Sequence, residues 1–102
     1  MSDAEQAMRI EWLDEALIDF DEAVSYLHER NPHAARELAQ SIHLAVQGLL
    51  RNPEIGRPGR VPDTRELVVG STRYIVPYRL SGRAIEILAV LHDAREWPAA
   101  FA

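Results

Sequence analysis

The chain has 102 residues, a formal net charge of −5 and 47% hydrophobic residues, enough for one core without covalent staples, so a single domain spanning 1–102 is expected. It has no cysteine, which excludes disulfides, a thiol nucleophile and a thiolate metal site. Met1 to Gln6 has neither the basic nor the apolar part of a signal peptide, and no apolar run approaches the ~20 residues of a membrane span, so a cytoplasmic protein without membrane contact is expected.

In chain order, Met8, Ile10 and Trp12 alternate with Arg9 and Glu11, the period of a short strand. Ala16, Leu17, Phe20, Ala23, Val24 and Leu27 then recur at helical spacing, with Asp14 and Glu15 placed to favour the positive end of the helix dipole. Asn31-Pro32 closes this helix and starts a second, Asn as N-cap and Pro as first helical residue. The second apolar stripe runs Ala35, Leu38, Ala39, Ile42, Val46, Leu49, Leu50 and stops at Asn52-Pro53. So short a connection predicts an antiparallel helical hairpin. Residues 52–63, with three prolines and two glycines, predict an ordered surface loop. Three strands follow: Arg65 to Val69, Arg73 to Leu80, and Ala84 to His92, joined by turns at Gly70-Ser71 and Ser81-Gly82. Pro77 removes a ladder donor from the middle strand and demands a bulge or a local edge. The expected architecture is α+β, in the order βααβββ, with the helical hairpin packed on one face of a small, mainly antiparallel sheet.

The charge is divided. Residues 1–50 hold ten acidic and three basic side chains, a net of −7; residues 51–83 hold seven arginines against three acids, a net of +4; residues 84–102 return to −2. All eleven basic residues are arginine, the side chain suited to planar, bidentate pairing with carboxylate or phosphate. An acidic protein partner fits this pattern better than a nucleic acid, because the rest of the chain would repel a polyanion. His28, His33 and His43 lie along the helices without ligand spacing, and no metal or cofactor is expected.

The GRPGRVPDTREL loop, the YIVPYRL strand and the ILAVLHDAREWP strand and tail, in that order after the MRIEW strand, resemble the RelE/ParE superfamily of bacterial toxins, and most closely its ParE branch of plasmid-stabilisation toxins. The resemblance spans nearly the whole chain. It implies the toxin component of a type II toxin–antitoxin system, neutralised by a cognate ParD-like antitoxin that wraps over it. It implies two activities on one scaffold: messenger RNA cleavage in the ribosomal A site for RelE-type members, and poisoning of DNA gyrase for ParE-type members. Contact with DNA would come only through the antitoxin.

The residues discriminate between these. Metal-free cleavage needs the 2′-hydroxyl activated, the phosphate charge offset and the leaving oxygen protonated. The ribonuclease members supply arginines and lysines, with a third-strand pattern similar to Tyr-Arg-Leu-Val-Tyr. The matching stretch here is Tyr74-Ile75-Val76-Pro77-Tyr78, so the phosphate-stabilising arginine is Ile75; the arginine some members carry before the hairpin turn is Gly70. The reading is therefore a gyrase-binding toxin rather than an enzyme. The alternative enzyme is a ribosome-dependent messenger endoribonuclease with His92, Arg73 and Arg79 as catalytic candidates. A third reading is a non-toxic co-repressor that retains only its antitoxin.

Each candidate also has a structural reading. His92 acts as an acid, or is held by neighbouring Asp93. Arg57, Arg60 and Arg65 contact an anionic partner, or form local salt bridges on a solvated loop. Arg73 and Arg79 are an even distance apart and are expected on one sheet face, away from the helices, where an acidic antitoxin segment would meet them. Tyr74, Val76, Tyr78 and Leu80 are expected in the core. Arg95 and Trp97 complete the partner-binding candidates, Trp97 alternatively plugging the core edge.

Overall fold

The computed structural model describes residues 7–93. They form β1 (Arg9–Trp12), α1 (Asp14–His28), α2 (Pro32–Gly48), β2 (Arg57–Pro58), β3 (Arg65–Val68), β4 (Tyr74–Ser81), β5 (Ala84–Ile87) and β6 (Leu91–His92). The sheet order is β1-β5-β4-β3-β2, with β6 also paired to β4. The first strand is parallel to β5 and every other pairing is antiparallel. Two helices on one face of a mainly antiparallel sheet is the expected α+β arrangement.

Local chemistry sets the helix ends. Asn31 Oδ1 accepts a hydrogen bond from the Ala34 amide at 3.1 Å, and Pro32 is the first helical residue. The start of α1 lacks a side-chain cap. The Leu13 amide instead donates to the Ile87 carbonyl at 3.0 Å, which ties the helix entry to β5. Both apolar stripes close on the sheet: Ala16, Leu38, Ile42, Val46 and Leu49 pack with Leu67, Val76, Tyr78, Ile85, Ile87 and Val90. Trp12 and Phe20 meet edge to face at 5.7 Å. Each fully buried aliphatic side chain contributes about 1.5–3 kcal/mol, so this cluster is what holds the hairpin to the sheet.

Three features differ from expectation. The third strand is not continuous from Ala84 to His92. It breaks into β5 and β6, because Pro77 accepts a hydrogen bond from the Leu88 amide at 2.9 Å but has no N–H to return. Pairing resumes with one extra residue on the β5–β6 side: Tyr78 opposes Ile87, and Ile75 opposes Leu91. That is a bulge. The loop at 52–63 contributes β2, two residues paired to β3. Leu80 is 36% exposed rather than core, although Ile85 opposite it is fully buried: cover by the helices reaches β5 at this level and leaves Leu80 half open. The face away from the helices is not bare either: Ile75, Ala89 and Leu91 form a second buried cluster there.

Candidate functional site

At the end of the sheet where β4 begins, the helical hairpin and the sheet diverge and leave an open groove of about 450 Å³. Ala23, Tyr26 and Leu27 of α1, Leu38 of α2, and Arg73, Tyr74 and His92 line it. Its lateral extension reaches Asp19 and Glu22. The β4–β6 pairing sets His92 opposite Tyr74, and the two rings meet edge to face at 5.7 Å. Asp93 holds this corner together. Its carboxylate oxygen lies 3.4 Å from His92 Nδ1 and 3.4 Å from Arg73 Nη2, and its amide donates to the Arg73 carbonyl at 2.7 Å. Asp19 of α1 accepts a hydrogen bond from the Val90 amide at 3.1 Å, which anchors the bulge beneath the groove. Tyr26 is 62% exposed, and the Arg30 guanidinium sits 3.7 Å above its ring.

Of the three catalytic candidates, the fold brings two together. Arg73 lies in the bend before β4 and borders the groove with His92. Arg79 is six residues further along, on the order of 20 Å at the rise of a strand. Its Nε donates to Glu86 Oε1 at 2.6 Å across the β4–β5 pair.

Arg57, Arg60 and Arg65 are engaged within the molecule. Arg57 Nε and Arg60 Nε converge on Glu66, at 2.8 and 3.1 Å. Glu66 is only 4% exposed, so two half-exposed guanidinium groups stand on one buried carboxylate. Arg65 Nη1 donates to the carbonyls of Glu54 and Gly56, both at 2.9 Å. Arg95 and Trp97 lie outside the described residues. Among the described residues, no group of three or more His, Asp and Glu side chains converges as metal ligands.

Two positions bear on catalysis. Ile75, where the ribonuclease pattern has arginine, is 2% exposed and packs on Ala89 and Leu91. Tyr78 is fully buried, and its hydroxyl donates to the Pro53 carbonyl at 2.8 Å and accepts from the Gly56 amide at 2.9 Å. Burial raises the Tyr78 pKa above its ordinary value, against the opposing pull of the Gly56 amide. A buried phenol bound to two backbone groups is a structural latch, not a reagent. Sequence reasoning missed Tyr26 as a groove residue and Ile55 as an exposed one. Tyr26 falls off the apolar stripe of α1, and Ile55 is the lone aliphatic residue between Pro53 and Gly56; those were the available signals.

The fold and site define a small α+β protein with an open groove between its helical hairpin and one end of its sheet. The chain matches the ParE toxin family of type II toxin–antitoxin systems (parDE) over residues 10–97. It is 44% identical over 90 residues to the Y4kP protein of Sinorhizobium fredii, covering 88% of this chain and 93% of that one. It is 33% identical over 80 residues to toxin RelE1 of Caulobacter vibrioides, covering 76% and 85%. A chain in the solved chromosomal ParDE toxin–antitoxin system from P. aeruginosa superposes with a TM-score of 0.77 at 28% identity, covering 85% of this chain and 97% of that one. The chain belongs to the ParE family of type II toxin–antitoxin toxins.

Proposed function

We propose that the protein acts in the cytoplasm by inhibiting DNA gyrase, without being an enzyme itself, and that a cognate ParD-like antitoxin neutralises it. The observation that carries this reading is Ile75. An arginine there would have to enter a dry cluster with Ala89 and Leu91, at the cost of an unpaired buried charge. The groove supports the antitoxin part: apolar side chains from both helices, open at one end of the sheet, suit the apolar face of an amphipathic helix. Arg73 at its rim suits an acidic residue on that helix. The test is a supercoiling assay with purified toxin and gyrase. Inhibition and a trapped, cleaved-DNA complex at micromolar toxin are expected; absence of both would sink the gyrase assignment.

One observation favours a second reading. Arg73, Tyr74, His92 and Asp93 share one corner, a cation, a phenol and an imidazole within one groove. If the protein cleaved messages in the ribosome, primer extension on translated messages would show A-site cuts that His92→Ala abolishes.

A further inference from the structure

We infer that the loop Pro53–Arg57 is a rigid platform that presents Ile55, together with Leu80, to an acidic surface of the toxin's protein target; this rests on the reading that the toxin acts by binding a protein. A loop rich in proline and glycine is ordinarily a soft surface connection. Here four side-chain hydrogen bonds hold it. Tyr78 Oη binds the Pro53 carbonyl and the Gly56 amide, at 2.8 and 2.9 Å. Arg65 Nη1 binds the carbonyls on either side of Ile55, those of Glu54 and Gly56, each at 2.9 Å. A fifth bond, from the Ile55 amide to the Asn52 carbonyl at 3.2 Å, closes the turn. The close fit extends to Gly56, where a Cβ would stand 2.6 Å from Tyr78 Cε1 and 2.7 Å from its oxygen.

All this fixes the backbone around a side chain that is itself 60% exposed. A surface isoleucine alone needs no explanation. An isoleucine whose backbone is already ordered is different, because binding through it carries little further ordering cost. It also has neighbours. Arg65 forms a wall of an open dish of about 500 Å³ that Leu80 shares with Pro58, Asp63 and Thr64. Arg65 is thus common to the loop that carries Ile55 and to the dish that holds the half-exposed Leu80.

Charge complementarity identifies the occupant. Residues 51–83 carry a net +4, with Glu54 beside Ile55 and Asp63 in the dish itself counted against it. Arg51 and Arg83, one beside the loop and one in the β4–β5 turn, are exposed and engage no side-chain partner among the described residues. With Arg73 and Arg79 paired to Asp93 and Glu86, the positive surplus of this segment is +2, and it lies in the loop, strand and turn that carry the exposed apolar pair, while the helical half is acidic. An apolar contact ringed by carboxylates is the matching surface. Tyr74 at the groove and Leu80 at the dish are six residues apart on one strand, on the order of 20 Å. The dish and the groove are therefore physically separate, and the antitoxin's groove can be filled without touching Ile55.

The experiment expresses the full chain alone and with its antitoxin, comparing wild type with Ile55→Ser and Leu80→Ser. For Ile55→Ser we expect growth arrest to need at least tenfold more toxin, with melting temperature and antitoxin co-purification unchanged. Leu80→Ser should weaken arrest in the same direction. If Ile55→Ser arrests growth as wild type does, or loses the antitoxin while remaining folded, the platform assignment is wrong. A concentration-dependent dimer of the free toxin that Ile55→Ser abolishes would assign the surface to a second copy and overturn it too. Failure of wild type to arrest growth would also remove the target the platform is meant to engage. Gyrase is judged separately: a wild-type chain that arrests growth without altering supercoiling refutes the gyrase reading and leaves the Ile55 comparison decisive.

Discussion

Tyr78 shows how one side chain can be legible in its class and opaque in its role. Alternation along β4 places it in the core, and it is fully buried. Its hydroxyl bonds the backbone 22 and 25 residues away, and backbone partners leave no trace in the identity of residues. Arg65 is opaque for the same reason: its guanidinium binds two backbone carbonyls. Replacing Tyr78 by Phe strands the Gly56 amide in a buried position and should cost about 1–3 kcal/mol, read by denaturant unfolding. The pH dependence has a definite sign. The Tyr78 pKa is raised by burial, so the unfolded chain loses the phenolic proton first as pH rises. Stability should be level below about pH 10, the ordinary tyrosine value, and fall above it, less steeply in Tyr78→Phe. Ile75→Arg is the corresponding test of the catalytic position. It should lower the melting temperature, by burying an unpaired charge, and confer no message cleavage.

At the scale of elements, the helices were readable because each has one apolar stripe and the Asn31-Pro32 boundary is a local signal. Asn31→Ala should cost about 1 kcal/mol through the loss of the cap on α2, measured as a shift in thermal unfolding. The β5–β6 break was not readable. Leu88, Ala89 and Val90 are all apolar and all buried, so the stretch reads as one continuous strand, although Pro77 announced that some irregularity was needed. Leu80 was misplaced because alternation assigns a face without saying how far the helices extend over it. Asp19→Ala should release the bulge from α1. The expected outcome is faster amide exchange at Val90 with a modest loss of stability, of roughly 1–3 kcal/mol for an unsatisfied buried amide.

For the whole molecule, the contrast between an acidic helical half and an arginine-bearing half is real in sequence and largely cancelled in space. Arg57 and Arg60 stand on Glu66, Arg79 on Glu86, and Arg73 shares Asp93 with His92. An arginine-rich segment read from sequence is thus mostly an internal ion-pair network, and the bland reading of Arg57, Arg60 and Arg65 describes their geometry. What remains available to a partner is smaller: Arg51, Arg83 and the outward faces of half-exposed pairs. Antitoxin binding that relies on so few free cations should depend weakly on salt. Raising ionic strength from about 0.05 to 0.5 M should change the dissociation constant by less than about tenfold, in contrast to the steep dependence of a polyanion-binding protein.

The extra residue between Ile87 and Leu91 also sets the chain's tolerance of insertions and deletions. In an unbroken strand, residues an odd number apart point to opposite faces, which would turn His92 away from the side of Ile85 and Ile87. The bulge reverses that parity and delivers His92 to the groove beside Tyr74, with Leu91 sent to Ile75 on the far side. Closing the bulge with every residue kept would exchange them, presenting a leucine to the partner and burying an imidazole in an apolar cluster, whereas loss of one residue from Leu88 to Val90 leaves a regular strand in which Leu91 still meets Ile75 and His92 still meets Tyr74. A one-residue gap at that point is therefore absorbed by loss of the bulge, and it is a one-residue insertion there that would have to be absorbed by a wider bulge or would rewire both faces of the sheet.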